Sequence, residues 1–290
     1  MKNVKVIVTG AVCAALGIGA GMGGMYLFQK KNIEFAKDYS LLKEVQDVLD
    51  ENEKQLPEGS KPVDAVVNGY LSQYDRFTRY IGPTSDKEDE TANIKSDVES
   101  RIINGNILYV EINGFIFGTN LSFGSKTDEL MPKARAVIID LRGNLGGDIT
   151  EAQNISDRFL KTGVIHCFID NADDYDFEMS DSGNEIDLPV VILVNGETAS
   201  ASEMMTALFM QNYDNVTVIG TTTYGKGVFQ DEKELSNGGI LRFTNGYYTV
   251  GDWECYQDVG IEPDITLEMD ESLIGTLSDT QLKKALEILG

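Results

Sequence analysis

Three residues within one stretch of this chain, 190–230, have the types and spacing for nucleophilic chemistry: Ser200, Lys226 and Gln230. A serine hydroxyl is a weak nucleophile and needs a base to take its proton. The single histidine, His166, lies in a run (164–169) that reads as a strand entering an acidic hairpin, and is assigned a structural role. A lysine withdrawn from water is the substitute base, because desolvation disfavours the ammonium and lowers its pKa from about 10.4. Ser–Lys pairs are a known variant of nucleophile–base logic. Lys226 stands between Gly225 and Gly227, which let the chain turn sharply. Gln230, four residues on, could orient the amine. In a regular strand the two would be about 13 Å apart, so they meet only if the glycines break the strand.

The neighbouring pattern supplies elements to hold these groups. Val190–Val194 reads as a buried strand, Asn195-Gly196 as a turn, and the following segment as a helix capped by Thr198. Ser200 then falls in the first helical turn, with the Ala201 N–H aimed at any oxyanion that forms on its substrate. A second strand, Val216–Ile219, leads to Gly225-Lys226-Gly227. Upstream, Ile107–Ile112 and Arg135–Leu141 read as strands and 148–160 as a helix; Gly146 and Gly147 sit at the strand-to-helix turn, where backbone amides can hold an anion. Between those strands a Gly- and Phe-rich stretch precedes a short helix predicted at Thr127–Met131. Residues 33–82 read as two helices broken at Pro57-Glu58-Gly59, and the tail as an amphipathic helix capped by Ser278. Strands alternating with helices predict an α/β core.

Composition narrows the class. A net charge of −23, with 47 acidic against 24 basic residues, excludes a nucleic-acid binder, which needs clustered cations. Residues 6–28 are uncharged and mostly apolar, and as a helix would span about 35 Å, enough for a transmembrane anchor. A cleaved signal peptide is the rival reading. The three cysteines show no metal spacing, although Cys167 and Cys255 could pair. The acidic stretch 170–187 lacks the glycine and closing glutamate of an EF-hand loop, so a solvated hairpin is expected there. Ser40-Leu41-Leu42-Lys43 and Lys161-Thr162-Gly163 match two penicillin-recognising motifs, but the middle element is missing.

The blocks TASASE (198–203) and YGKGVFQ (224–230), with VIIDLRGNLGG (137–147) and GGILRFT through GIEPD (238–264), resemble the C-terminal processing (tail-specific) peptidases of the S41 serine peptidase family. The resemblance covers most of 41–82 and 98–289. It implies Ser200 as nucleophile, Lys226 as general base and Gln230 as its orienting partner. It also implies an oxyanion hole from Ala201 and a glycine, Gly146 or Gly147, with no cofactor or metal. The implied fold is the crotonase/Clp-protease-like core of ββα units, with an N-terminal helical subdomain. Two departures stand out. Ser200 and Lys226 are 226 − 200 = 26 positions apart, one more than the family spacing, with the extra residue expected near 210–215. Only a short polar stretch, Thr84–Asp97, occupies the place of the family's PDZ domain.

The expected organisation is a signal anchor (1–32), a helical region with short linker (33–97) and an S41-type peptidase core (98–290). The expected function is a membrane-anchored serine endopeptidase cutting extracytoplasmic proteins or peptides through a Ser–Lys dyad. An activator or adaptor would replace the PDZ domain, and a homodimer is a further expected partner state. The alternatives are a catalytically silent relative that binds peptides or small ligands, and an interaction protein recruiting a partner protease.

Overall fold

The parallel strands of this chain are short apolar runs because both of their faces are covered. The computed structural model describes Leu41, 43–45, Val48, 61–83, 98–170, 175–180, 186–250 and 254–290. Val63–Gly290 form one compact unit. Its central sheet has six strands in the order β11-β8-β7-β4-β3-β2. These are β2 (Val98–Ile103), β3 (Ile107–Ile112), β4 (Ala136–Asp140), β7 (Val190–Val194), β8 (Val216–Gly220) and β11 (Ile265–Thr266). All neighbours run parallel except β2, which is antiparallel to β3. Leu108, Val110, Ile112, Val137, Ile139, Ile192 and Val194 pack into one core. Their alternating neighbours Ile107, Tyr109, Ile138, Val191 and Leu193 pack into a second. Two-sided burial is why β4 and β7 carry no polar alternation before their ends.

The first core is closed by α3 (Ile149–Asp157) and α4 (Ala201–Asn212), and Phe123, Phe159 and Phe209 meet there ring against ring. The second is closed by the C-terminal α5 (Thr280–Leu289), through Ala285 and Leu289. A second, wholly antiparallel sheet contains β1 (Arg79–Ile81), β5 (Gly163–Asp170), β6 (Tyr175–Ser180), β9 (Val228–Glu234) and β10 (Ile240–Val250). Its β10 sends Tyr248 and Val250 into the first core. The fold is therefore mixed α/β around a central sheet.

Several expectations shift by local chemistry. The helix foreseen at Thr127–Met131 is instead α2 (Thr119–Thr127), followed by a 3-10 turn at Met131–Lys133. Its low apolar contrast hid it. The tail helix is capped by Asp279, whose side chain accepts from Leu282 N, and not by Ser278. Of the helices expected over 33–82, the described part is α1 (Pro62–Leu71), with Leu41, 43–45 and Val48 helical before it. The apolar stretch 6–28 and the linker 84–97 lie outside the described residues. Among the described residues no helix is long and apolar enough to cross a membrane.

Candidate active site

Three connections leave the C-terminal ends of adjacent parallel strands and meet at Ser200. One follows β4 and holds 141–148, one follows β7 and holds 195–200, and one follows β8 and holds 221–227. Strand ends of a parallel sheet are where such folds gather reactive groups.

Ser200 is the N-cap of α4, with φ 56 and ψ −118. The helix therefore starts two residues later than a Thr198 cap would place it. The Thr198 hydroxyl instead donates to Leu141 O at 2.8 Å, tying the β7 turn to the β4 loop. A non-glycine residue held at that φ/ψ costs about 1–3 kcal/mol and persists only where its surroundings impose it. The imposition is visible. Ala199 N donates to Asn144 O at 3.0 Å, and Ser200 N donates to Glu203 Oε2 at 2.9 Å. Ala201 N–H is the first amide of α4 and has no carbonyl within the helix to reach.

Gly146 lies against the serine. A Cβ there would stand 2.5 Å from Ala199 O and 2.8 Å from Ser200 Cβ, at φ +94. Its own N–H donates to Asn144 Oδ1 at 2.9 Å. Asn144 is fully buried, and its Nδ2 donates to Ile112 O. The Gly147 N–H has no hydrogen-bond partner among the described residues. The two glycines that the sequence leaves equivalent are thus different in position and commitment.

Lys226 is half-buried in the third connection. Gly225, at φ +85, turns the chain before it, and β9 begins only at Val228. Lys226 and Gly227 therefore precede the strand, and Gln230 lies within it. The Lys226 Nζ lies 5.1 Å from the centroid of the Phe77 ring, and Gln230 Nε2 donates to Phe77 O at 2.8 Å. Lysine and glutamine converge on one residue delivered by the segment between α1 and β1.

The residue that sequence reasoning missed is Glu203. It is fully buried, and its carboxylate takes four neutral donors. Oε2 accepts the N–H of Ser200 at 2.9 Å and that of Lys226 at 2.7 Å. Oε1 accepts the Thr223 hydroxyl at 2.6 Å and the Gly225 N–H at 2.7 Å. One oxygen therefore fixes the backbones of both candidate reacting residues. The signal was present as S-x-x-E, a capping-box spacing, but nothing in that spacing announces Thr223, Gly225 or Lys226.

Tyr248 completes the floor. It is buried, and its hydroxyl donates to Lys226 O at 2.8 Å. Burial first, with the Glu203 charge adding, pushes its pKa above the ordinary tyrosine value, so it stays a neutral phenol. Cys255 is a free thiol, not half of a disulfide with Cys167; its Sγ donates to Gly227 O at 3.3 Å, and burial pushes its pKa up. His166 lies on β5, paired with Val250 and Glu178 in register. Among the described residues no cluster could hold a metal ion.

The chain belongs to peptidase family S41, a family of serine peptidases, whose profile matches residues 106–267. It is 32% identical over 177 residues to the carboxy-terminal processing protease CtpA of Bacillus subtilis, covering 60% of this chain and 38% of that one. It is 32% identical over 160 residues to a carboxy-terminal-processing protease of Bartonella bacilliformis, covering 52% and 36%. Among solved structures it resembles a photosystem II D1 C-terminal processing protease at TM-score 0.52 and 25% identity, covering 59% of this chain and 47% of that one. A lipoprotein from Streptococcus agalactiae shares the fold at TM-score 0.63 and 17% identity, covering 84% and 87%. The chain thus spans less than two-fifths of the length of these two curated relatives.

Proposed function

We propose that this protein is a serine endopeptidase that hydrolyses peptide bonds through a Ser200–Lys226 dyad. The observation that carries the reading is the shared Glu203 oxygen, which sets the Ser200 and Lys226 backbones on one anchor at the strained start of α4. In the reaction, neutral Lys226 takes the Ser200 hydroxyl proton as Oγ attacks the scissile carbonyl carbon. The carbonyl oxygen becomes an oxyanion facing the Ala201 and Gly147 amides, Gly146 N–H being committed to Asn144. The Lys226 ammonium then protonates the leaving amine and the C–N bond breaks. Water, deprotonated by the same lysine, attacks the acyl-enzyme, and the proton returns to Ser200 as the acid leaves. Gln230 orients Lys226 through its Oε1, because its Nε2 is bonded to Phe77 O and an ammonium offers only donors.

The finer architecture we propose is a crotonase/Clp-like core held at a membrane by 6–28, with the core outside the cytoplasm. The support is the uncharged, apolar character of that stretch and the likeness to C-terminal processing proteases. The substrate is an unfolded protein or peptide, and an activator or adaptor would stand in for a PDZ domain. The test is incubation of the full chain with casein, beside Ser200→Ala and Lys226→Ala, with fragments followed by mass spectrometry. Each variant is expected to lose at least about 1,000-fold in kcat/KM. Parental activity in both would sink the dyad.

A further inference from the structure

Arg76 binds the lysine loop at the carbonyl of Gly225, the residue whose N–H Glu203 holds. Its Nη2 donates to Gly225 O at 2.8 Å and lies 3.1 Å from Asp258 Oδ1. Its guanidinium also stacks on two rings, 4.9 Å from the Phe77 centroid and 4.7 Å from that of Tyr224. The same Phe77 ring carries the Lys226 amine at 5.1 Å. Two cations therefore share one aromatic ring, and their charges lie within about 10 Å of each other. Gly225, the residue before Lys226, is gripped at both ends, its N–H by Glu203 and its carbonyl by Arg76.

We propose that Arg76 is a positioning residue that sets the proton affinity of Lys226. Its permanent charge disfavours the neighbouring ammonium, so that more of the lysine is the neutral amine the reaction needs, while its Nη2 hydrogen bond to Gly225 O holds the loop. This rests on the reading of Lys226 as the base. The charged and titratable groups around that loop include Arg76 and Asp75 on the segment after α1, Glu203 on α4, Tyr248 on β10, and Cys255 and Asp258 beyond β10. Asp75 is turned to its own segment, accepting from Phe77 N, Thr78 N and the Thr78 hydroxyl. Asp258 is the carboxylate that offsets Arg76, and both side chains are partly exposed, at 44% and 66%.

The sign follows from this arrangement. Removing the Arg76 charge stabilises the ammonium and moves the acid limb of the kcat/KM profile to higher pH. Removing the Asp258 charge leaves Arg76 less neutralised and moves the limb to lower pH. Each shift is expected at roughly 0.3 to 1 unit, shrinking in high salt.

The experiment measures pH profiles of kcat/KM on a fluorogenic casein substrate for the full chain and for Arg76→Gln, Arg76→Lys, Asp258→Asn and Lys226→Ala. Arg76→Gln should shift the limb up and Asp258→Asn down. Arg76→Lys, which keeps the charge but not the guanidinium that reaches Gly225 O and stacks on the two rings, should leave the limb near its parental position at a lower rate. A limb unmoved in Arg76→Gln and Asp258→Asn, with Lys226→Ala inactive, would overturn this proposal alone. Parental activity in Lys226→Ala would overturn it together with the base assignment. Asp258→Asn keeps the test open if Arg76→Gln folds poorly, since asparagine tolerates the φ of 63 at that position.

Discussion

Two buried ionic centres stand at the ends of the same parallel strands, and they are built differently. Below the β4 loop, Arg142 bonds Asp140 through Nε and Nη2, and Asp279 through Nη1 and Nη2. Gln281 and Tyr109 take up the remaining positions. Every charge there meets its opposite, and the result joins the β4 loop to the N-terminus of α5. At the other centre the four hydrogen bonds to Glu203 come from neutral groups, three backbone amides and one hydroxyl. The first centre closes an ion network around a structural joint. The second uses a buried charge to hold two segments, the start of α4 and the loop after β8, in a geometry that they would not adopt alone, with Ser200 at φ 56 as its most visible product. A buried ion pair is weak evidence for stability; a buried carboxylate on amide donors is evidence for a shape being imposed.

That contrast can be broken by mutation. The largest effect on folding is expected at the paired centre. Arg142→Met leaves Asp140 and Asp279 buried without their cation and should cost about 3–5 kcal/mol of unfolding free energy in denaturant titration. The variant that still folds should keep its activity per folded molecule. Glu203→Gln should cost less, about 1–3 kcal/mol, because the shape and one acceptor oxygen are kept, while the other becomes an NH2 set against two donors. Its activity per folded molecule, however, should fall about ten- to a hundredfold, since the amide nitrogen must face either the Thr223 hydroxyl and the Gly225 N–H or the Ser200 and Lys226 N–H groups. Equal activity losses in the two variants would erase the distinction between the centres.

A smaller effect should appear with pH. Burial alone would raise the Asp279 pKa, but bonds from Arg142, Leu282 N and Gly275 N bring it below the ordinary carboxylate value. A depressed folded pKa contributes stability that is full above the unfolded value, about 3.9, and lost as pH falls through the folded one. Thermal unfolding of Asp279→Asn should therefore differ from the parent at pH 6 and approach it below about pH 4. A gap that stays constant down to pH 3 would show that the depressed titration contributes nothing.

The strands were legible where the chemistry is local. Ile107–Ile112 and Val190–Val194 are apolar runs of strand length, and the structure returns them at those bounds. The helix start at Ser200 was not, because Thr198 is an equally good cap by type. What decides is that the Thr198 hydroxyl is taken by Leu141 O, 57 residues away. The choice between Gly146 and Gly147 was likewise invisible, since it depends on where the Asn144 side chain points. Arg76 is 149 residues from the carbonyl it binds.

The sequence by itself determined which groups are available: a serine beside small residues, a lysine between glycines, a glutamine four residues on, and apolar runs of strand length. These follow from residue type and short spacing, which the chain carries in one dimension. Only the tertiary structure decided that Glu203 joins the two loops, that Gly147 keeps its amide open and that Arg76 shares an aromatic ring with Lys226. Each of those is a meeting of segments brought together by the parallel sheet, and a hydrogen bond or a charge acts over ångströms in space, whatever the distance along the chain.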